Sequence, residues 1–397
     1  MIKRIKGSAL HFVVLISVLI FIILGTFLLL TYTNNLLENK ASNLIENIYN
    51  AEENIVRYGE MKNFPSIRKN NIKQSYWGSF EKVISKSGEG ADSFSRAALL
   101  GSEISKNFPT LYLEDHNMPL VLAGNTLIEG KVYVPGKYVR PGSVGGVYFQ
   151  GPELIAGKLL ESEAKLPDLD FGWLKYIDSI YNKKYAVSAD IIDENFQNTF
   201  LEEKKIFSHQ GGDVEFELEG NLVLFSKNPI NIKKSATIDQ ILIIAPKIKV
   251  EAGFKGSLHA ITGNFESGKD TYFEYPSSVT TFRQNENQKD TDIVLNQGTH
   301  FEGNIISLNS KTFPKKLNNI IIHDGSTVIG FIYCQGTVEF YGTLTGSLFS
   351  KNVMTAKKGS KYLNHLYNCT ITNQRLSKTF GGPLLADSDK TITAWLY

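Results

Sequence analysis

Cysteine is nearly absent from this chain of 397 residues: only Cys334 and Cys369 carry a thiol. At most one bridge can form, so no disulfide framework holds the fold together. Cys334 stands in an apolar, strand-like run, which favours two buried thiols over a bridge. Histidine is sparse too, with seven residues scattered from His11 to His365 and no compact ligand spacing such as HExxH. Neither GxxxxGK[ST] nor a GxGxxG between strand and helix is present, and AGFKGSL at 252–258 only imitates one. No cofactor or metal is expected. An excess of one charge is also missing, because 42 Lys and Arg against 40 Asp and Glu leave a formal net charge of +2. Without a basic face, nucleic acid is not an expected partner.

The apolar content, 42% against 21% charged residues, excludes a wholly disordered chain. The length suits two or three domains, or one elongated repetitive body.

One apolar run dominates the start. SALHFVVLISVLIFIILGTFLLL, residues 8–30, makes a helix of roughly 34 Å, enough for a hydrocarbon core of about 30 Å. A cleavable signal has a shorter apolar region and a small-residue cut site, which TYTNN does not offer. A retained single-pass anchor in the lipid bilayer is therefore expected. Lys3, Arg4 and Lys6 precede it, and the first charges beyond it are Glu38 and Lys40. That asymmetry places the N-terminus in the cytoplasm and the bulk of the chain outside it, in periplasm or at the cell surface. Beyond the bilayer, Tyr32, Leu36, Leu37, Leu44, Ile45, Ile48, Ala51 and Ile55 recur at helical steps and predict an amphipathic helix over 31–60. Gly25 and Thr26 are small enough to let a neighbouring membrane helix approach closely.

MIKRIKGSALHFVVLISVLIFIILG resembles the start of type IV pilin-like proteins, in particular the PilX-like minor pilins. In that family a short basic leader ends in Gly before a long apolar helix that anchors and assembles the subunit. The resemblance implies processing between Gly7 and Ser8, and other membrane or pilus-like subunits as partners. His11 and Phe12 stand where major pilins carry an apolar residue followed by Glu, a departure that weakens a role as major filament subunit.

After a mixed collar (61–110), in which Asp92–Ile104 suits a short helix and Trp77 and Phe80 supply packing area, the texture changes. Short alternating runs broken by glycine return as GNTLIEGKVYV, VEAGFKGSLHAITG, GTHFEGNIISLN, GSTVIGFIYCQG and GTVEFYGTLTGSLF. A strand exposing one apolar face must stack on the next, which predicts an irregular right-handed parallel β-helix or β-solenoid over 111–151 and 211–358. A sandwich is the competing fold. Residues 152–210 lose the alternation and predict a helical insertion, and 359–397 is expected to cap the last coil, burying Trp395 and Leu396. GTLTGSLFS, GNTLIEGKVYV and GTHFEGNIISL resemble the bactofilin-like, polymer-forming β-solenoids, which implies that architecture.

A structural or assembly role in the cell envelope is the reading these features favour; a membrane-tethered carbohydrate-active enzyme or glycan-binding module is the alternative. Asp168, Asp170, Asp190 and Asp193 could pair for acid and base work on a glycosidic bond. Their positions near turns and helix starts suit capping better, so no catalytic residue is assigned. Trp173 and Tyr275 are the candidate glycan contacts.

Overall fold

The computed structural model describes residues 8–60, 71–104, 108–181, 192–282, 292–309, 318–373, 376–377 and 379–396. Gly7 and Asp190 lie outside the described residues.

A single helix, Ser8–Glu60, runs for 53 residues, about 80 Å at 1.5 Å per residue. It is long and apolar enough to cross a membrane, with a mean hydropathy of 3.2 over its most apolar window. None of that window is buried, so the run is not a core helix of the β body. Side chains 10–46 are exposed; enclosure begins at Asn47 and is complete at Ala51 and Ile55.

Those last turns rest on an antiparallel sheet. The hairpin Ile72–Trp77 and Phe80–Ser87 pairs with Phe94–Glu103, which pairs in turn with Gly381–Gly382 and Lys390–Leu396. Period-two alternation splits its side chains between two layers. Val83, Ala98 and Leu100 meet Ile55 of the helix, whereas Phe80, Ala97 and Leu99 face the main body. Phe94–Glu103 corrects the helix expected over Asp92–Ile104. SRAALLGSE has helix-forming residues, but both of its faces are buried and both of its edges are paired, and those tertiary gains exceed a propensity difference of a few tenths of a kcal/mol per residue.

The main body is built from parallel pairings. One line of directly registered residues passes through Leu224, Ile243, Ala260, Val279, Ile305, Ile332, Leu348, Leu111 and Val132, all buried. A second line contains Ile230, Ile248, Phe265, Ile293, Ile320, Val338 and Val353. A third contains Phe273, Phe301, Val328, Leu344, Ile371 and Ile128. All three lines enter one hydrophobic core. Six strands close a parallel ring: Leu258–Ser267, Tyr272–Phe282, His300–Leu308, Thr327–Phe340, Asn319–Ile322 and Asp292–Leu295.

Glycine makes the stacking possible at the bends. Gly330 and Gly346 are registered on each other with φ of 142° and 151°, and a Cβ on Gly346 would lie 1.8 Å from the Gly330 carbonyl oxygen.

The order of stacking is not the order of the chain. Leu348–Ser350 pairs with Leu111–Leu113, so strands made early are laid beyond strands made late. This revises the role expected for 359–397. Thr370–Thr372 is itself a paired strand between Thr343–Thr345 and Leu127–Glu129, and Lys390–Leu396 belongs to the collar. Leu396 is buried and Trp395 is half-buried there. Within 152–210, helix is confined to Phe171–Tyr181 among the described residues, while Ala156–Glu161 and Lys205–His209 pair into the parallel sheet. Cys334 and Cys369 are both free and buried, and burial pushes each thiol up to about 12.

Candidate functional site

The collar hairpin enters the parallel body through its turn. Gly78 has φ of 58°, and a Cβ there would lie 2.3 Å from the Ser278 hydroxyl, so only glycine fits. The Ser79 amide donates to Ser278 Oγ at 3.2 Å, and Asn304 Nδ2 donates to Ser79 Oγ at 3.0 Å. Two indoles fasten the flanks: Trp77 Nε1 donates to the Gln240 carbonyl at 2.7 Å and Trp173 Nε1 to the Gly78 carbonyl at 2.9 Å.

His259 Nδ1 lies 2.9 Å from Ser278 Oγ, and its Nε2 lies 3.4 Å from Gln240 Oε1. A serine beside a histidine oriented by a third group has the outline of an activated nucleophile. Here both side chains are wholly buried beneath the turn, and Ser278 Oγ already accepts from Ser79. Burial lowers the imidazole to about 3, so it stays neutral and serves docking.

Lys82 is similarly enclosed, 5% exposed, with Nζ donating to Asn221 Oδ1 at 2.9 Å. The ammonium lies 4.7 Å from the Trp77 ring centroid and 5.4 Å from that of Phe200. Burial first, and the charge of Lys204 second, lower it to about 8. Glu81, on the opposite face of the same strand, is fully buried and accepts from Tyr58 at 2.6 Å and Lys390 at 2.5 Å. That pair of bonds ties the helix to the strand Lys390–Leu396.

Next to this junction opens a cleft of about 720 Å³. Its walls come from separate segments: Gln197–Phe200 with Glu202, Glu219–Gly220, Asp239–Gln240, Tyr275–Pro276, and Ala394–Leu396. Aromatic surface from Phe200, Tyr275 and Trp395 is combined with three carboxylates, Glu202, Glu219 and Asp239.

Of the candidate residues read from the sequence, Tyr275 lines this cleft, and its hydroxyl accepts from the Gly381 amide at 3.0 Å. Trp173 does not; its ring is wholly buried beneath the collar turn and offers no open face to a glycan. Asp170 caps the helix Phe171–Tyr181, its Oδ1 accepting from the Trp173 amide at 2.7 Å and from Tyr76 at 3.2 Å. Asp168 meets Ala386 through its backbone carbonyl, and Asp193 is exposed. Ser8 is the first described residue of the long helix. Gly25 has open space around it, and Thr26 donates to the Ile23 carbonyl at 2.8 Å. Sequence reasoning missed Phe200, Gln240 and the Ala394–Leu396 edge as cleft residues, because only the stacking brings these distant segments together.

No family model matches the sequence, and no curated protein matches it. Among solved structures, a glycosylated ice-binding protein from an Arctic yeast aligns over 70% of this chain and 96% of its own, at 12% identity and a TM-score of 0.21. A likeness at that score carries no conclusion about this chain.

Proposed function

We propose that this chain is a membrane-anchored structural or assembly protein of the cell envelope, similar in its mode of anchoring to a minor pilin. The N-terminus lies in the cytoplasm, and the parallel ladders are successive coils of a right-handed β-solenoid held outside the membrane. The irregular spacing of registered partners suits coils with protruding loops: Ile332 and Leu348 are 16 residues apart, and Ile305 and Ile332 are 27 apart.

The observation that carries the reading is the continuity of the helix. Leu37, Ala41, Leu44, Ile48, Ala51 and Ile55 alternate four- and three-residue steps along one face. The sheet buries the last two completely and Ile48 in part; Leu37, Ala41 and Leu44 continue the same face uncovered, towards an apolar segment long enough to span the bilayer. An apolar face that leaves its own domain is suited to a neighbouring subunit's helix, and Gly25, with open space around it, suits close approach inside the bilayer.

Replacing Gly25 with Leu should reduce recovery of associated subunits from native membranes by about tenfold, on the order of 1.4 kcal/mol of contact. Thermal unfolding of the β body should stay unchanged. Undiminished recovery would remove the helix-packing role. N-terminal sequencing of the membrane-derived protein tests the pilin-like element separately: a start at Ser8 is expected, and an uncut Met1 would leave a plain anchor.

A further inference from the structure

The strand Lys390–Leu396 is an edge. It pairs with Phe94–Glu103 on one side, and among the described residues no strand pairs with its other side. The cleft is lined by three successive residues of this strand, Ala394, Trp395 and Leu396. Successive side chains of a strand point to opposite faces, so three in a row mark the edge of the strand rather than one face of the sheet. Native sheets blunt exposed edges with charge, proline, a bulge or a covering element; this strand has one irregularity, at Thr393, before the three residues that line the cleft. After Lys390 this strand reads TITAWL, rich in strand-forming residues and without charge or proline.

We propose that this edge is a strand-addition site, in which a short, extended, cationic segment of a partner polypeptide pairs with Thr391–Leu396 and lies in the cleft. The volume fits: a strand needs roughly 160 Å³ per residue from a rise of ~3.3 Å, a strand spacing of ~4.8 Å and a sheet spacing of ~10 Å. The cleft of 720 Å³ therefore holds about four or five residues. The charge fits as well, since Glu202, Glu219 and Asp239 line the cleft and, among the described residues, no lysine or arginine does. Phe200 and Tyr275 give an apolar side chain of the added strand a surface to rest on, while main-chain hydrogen bonds to the open edge supply the pairing. The site makes no use of the apolar run 8–30, and it stands or falls without the anchoring role.

The test uses the full-length chain in lipid nanodiscs. The probe is the blocked pentapeptide Lys-Val-Lys-Val-Lys, compared with Glu-Val-Glu-Val-Glu and Lys-Pro-Lys-Pro-Lys. Hydrogen exchange is read at the outward amides of 391–396, those that point away from Phe94–Glu103, and binding is followed by tryptophan emission. The expected result is saturable binding of the lysine–valine peptide, with exchange of these amides slowed at least about tenfold. The proline peptide, which lacks the donors at its two proline positions, and the acidic peptide should bind at least about tenfold more weakly. The double variant Glu202→Lys, Glu219→Lys alters two exposed side chains and should weaken binding by about tenfold or more with unfolding unchanged. Equal binding of all three peptides, binding without amide protection, or edge amides already protected in the free protein would each overturn the proposal. Saturable binding of a chito-oligosaccharide in place of the peptide, quenching Trp395 emission, would assign the cleft to glycan and overturn it too.

Discussion

The collar and the parallel body solve the same problem in opposite ways. Each is a β layer that buries apolar side chains, yet the body gathers most partners in increments of a few tens of residues, with the strands of 109–134 its long-range exception, whereas the collar's closure rests on joining Phe94–Glu103 to Lys390–Leu396 across most of the sequence. The body has redundancy, with three registered lines of apolar side chains feeding one core. The collar instead depends on a few anchors: Trp77, the Gly78–Ser79 turn, and the Glu81 carboxylate. Damage to an anchor should therefore release the collar as a unit, while damage to one rung of the body should remain local.

The largest expected effect comes from Trp77→Ala. Removing a ring that is 1% exposed and hydrogen-bonded to Gln240 should cost about 3–5 kcal/mol. Chemical denaturation followed at the collar and at the body should then show two separated transitions; one undivided transition would erase the contrast between the regions.

Acid should act next, through His259. Its folded value of about 3 is below the ordinary 6.5, so the unfolded chain binds the extra proton. Stability is complete above pH 6.5 and declines as pH falls towards 3, by about 1.4 kcal/mol for each pH unit from this group alone. His259→Gln should flatten that part of the profile, and an unaltered acid limb would show that another group controls it.

A smaller effect, of the same sign but in the alkaline range, is expected at Lys82. Its folded value of about 8 is below the ordinary 10.5, so its contribution rises as pH increases from 8 to 10.5 and is least favourable at neutral pH. Lys82→Met keeps the length of the side chain and removes the buried charge, and should stabilise the collar by about 1–2 kcal/mol at pH 7. Destabilisation of that size would instead mean that the contacts with Asn221 and the two aromatic faces outweigh the cost of burying the ammonium.

The long apolar helix was readable in the sequence because residues 8–30 run for 23 positions with His11 as their one ionisable side chain. The parallel rungs were partly readable, since glycines such as Gly330 and Gly346 recur in the same relation to the apolar residues that follow. Phe94–Glu103 was not, because its alanines and leucines carry a local helix preference and its strand state is imposed by layers on both sides. The placement of Leu111–Leu113 beyond Leu348–Ser350 leaves no local mark, since either neighbour presents a similar apolar rung. The cleft was hidden for the same reason: Tyr275 stood out as an aromatic beside proline, but Phe200, Gln240 and Trp395 become its neighbours only after the stack forms. Trp173 stood out equally and became an internal clasp, showing that an aromatic's prominence in sequence does not reveal whether it faces outward.

The Glu81 clasp makes the helix seat answer to a contact between remote parts of the sequence. Tyr58 and Glu81 are 23 residues apart, but the lysine that neutralises this buried carboxylate is Lys390, 309 residues further on. Until that lysine arrives, the carboxylate is an uncompensated charge beneath the last turns of the helix, which disfavours closure of the collar. Firm seating of the helix therefore waits on the docking of a distant strand.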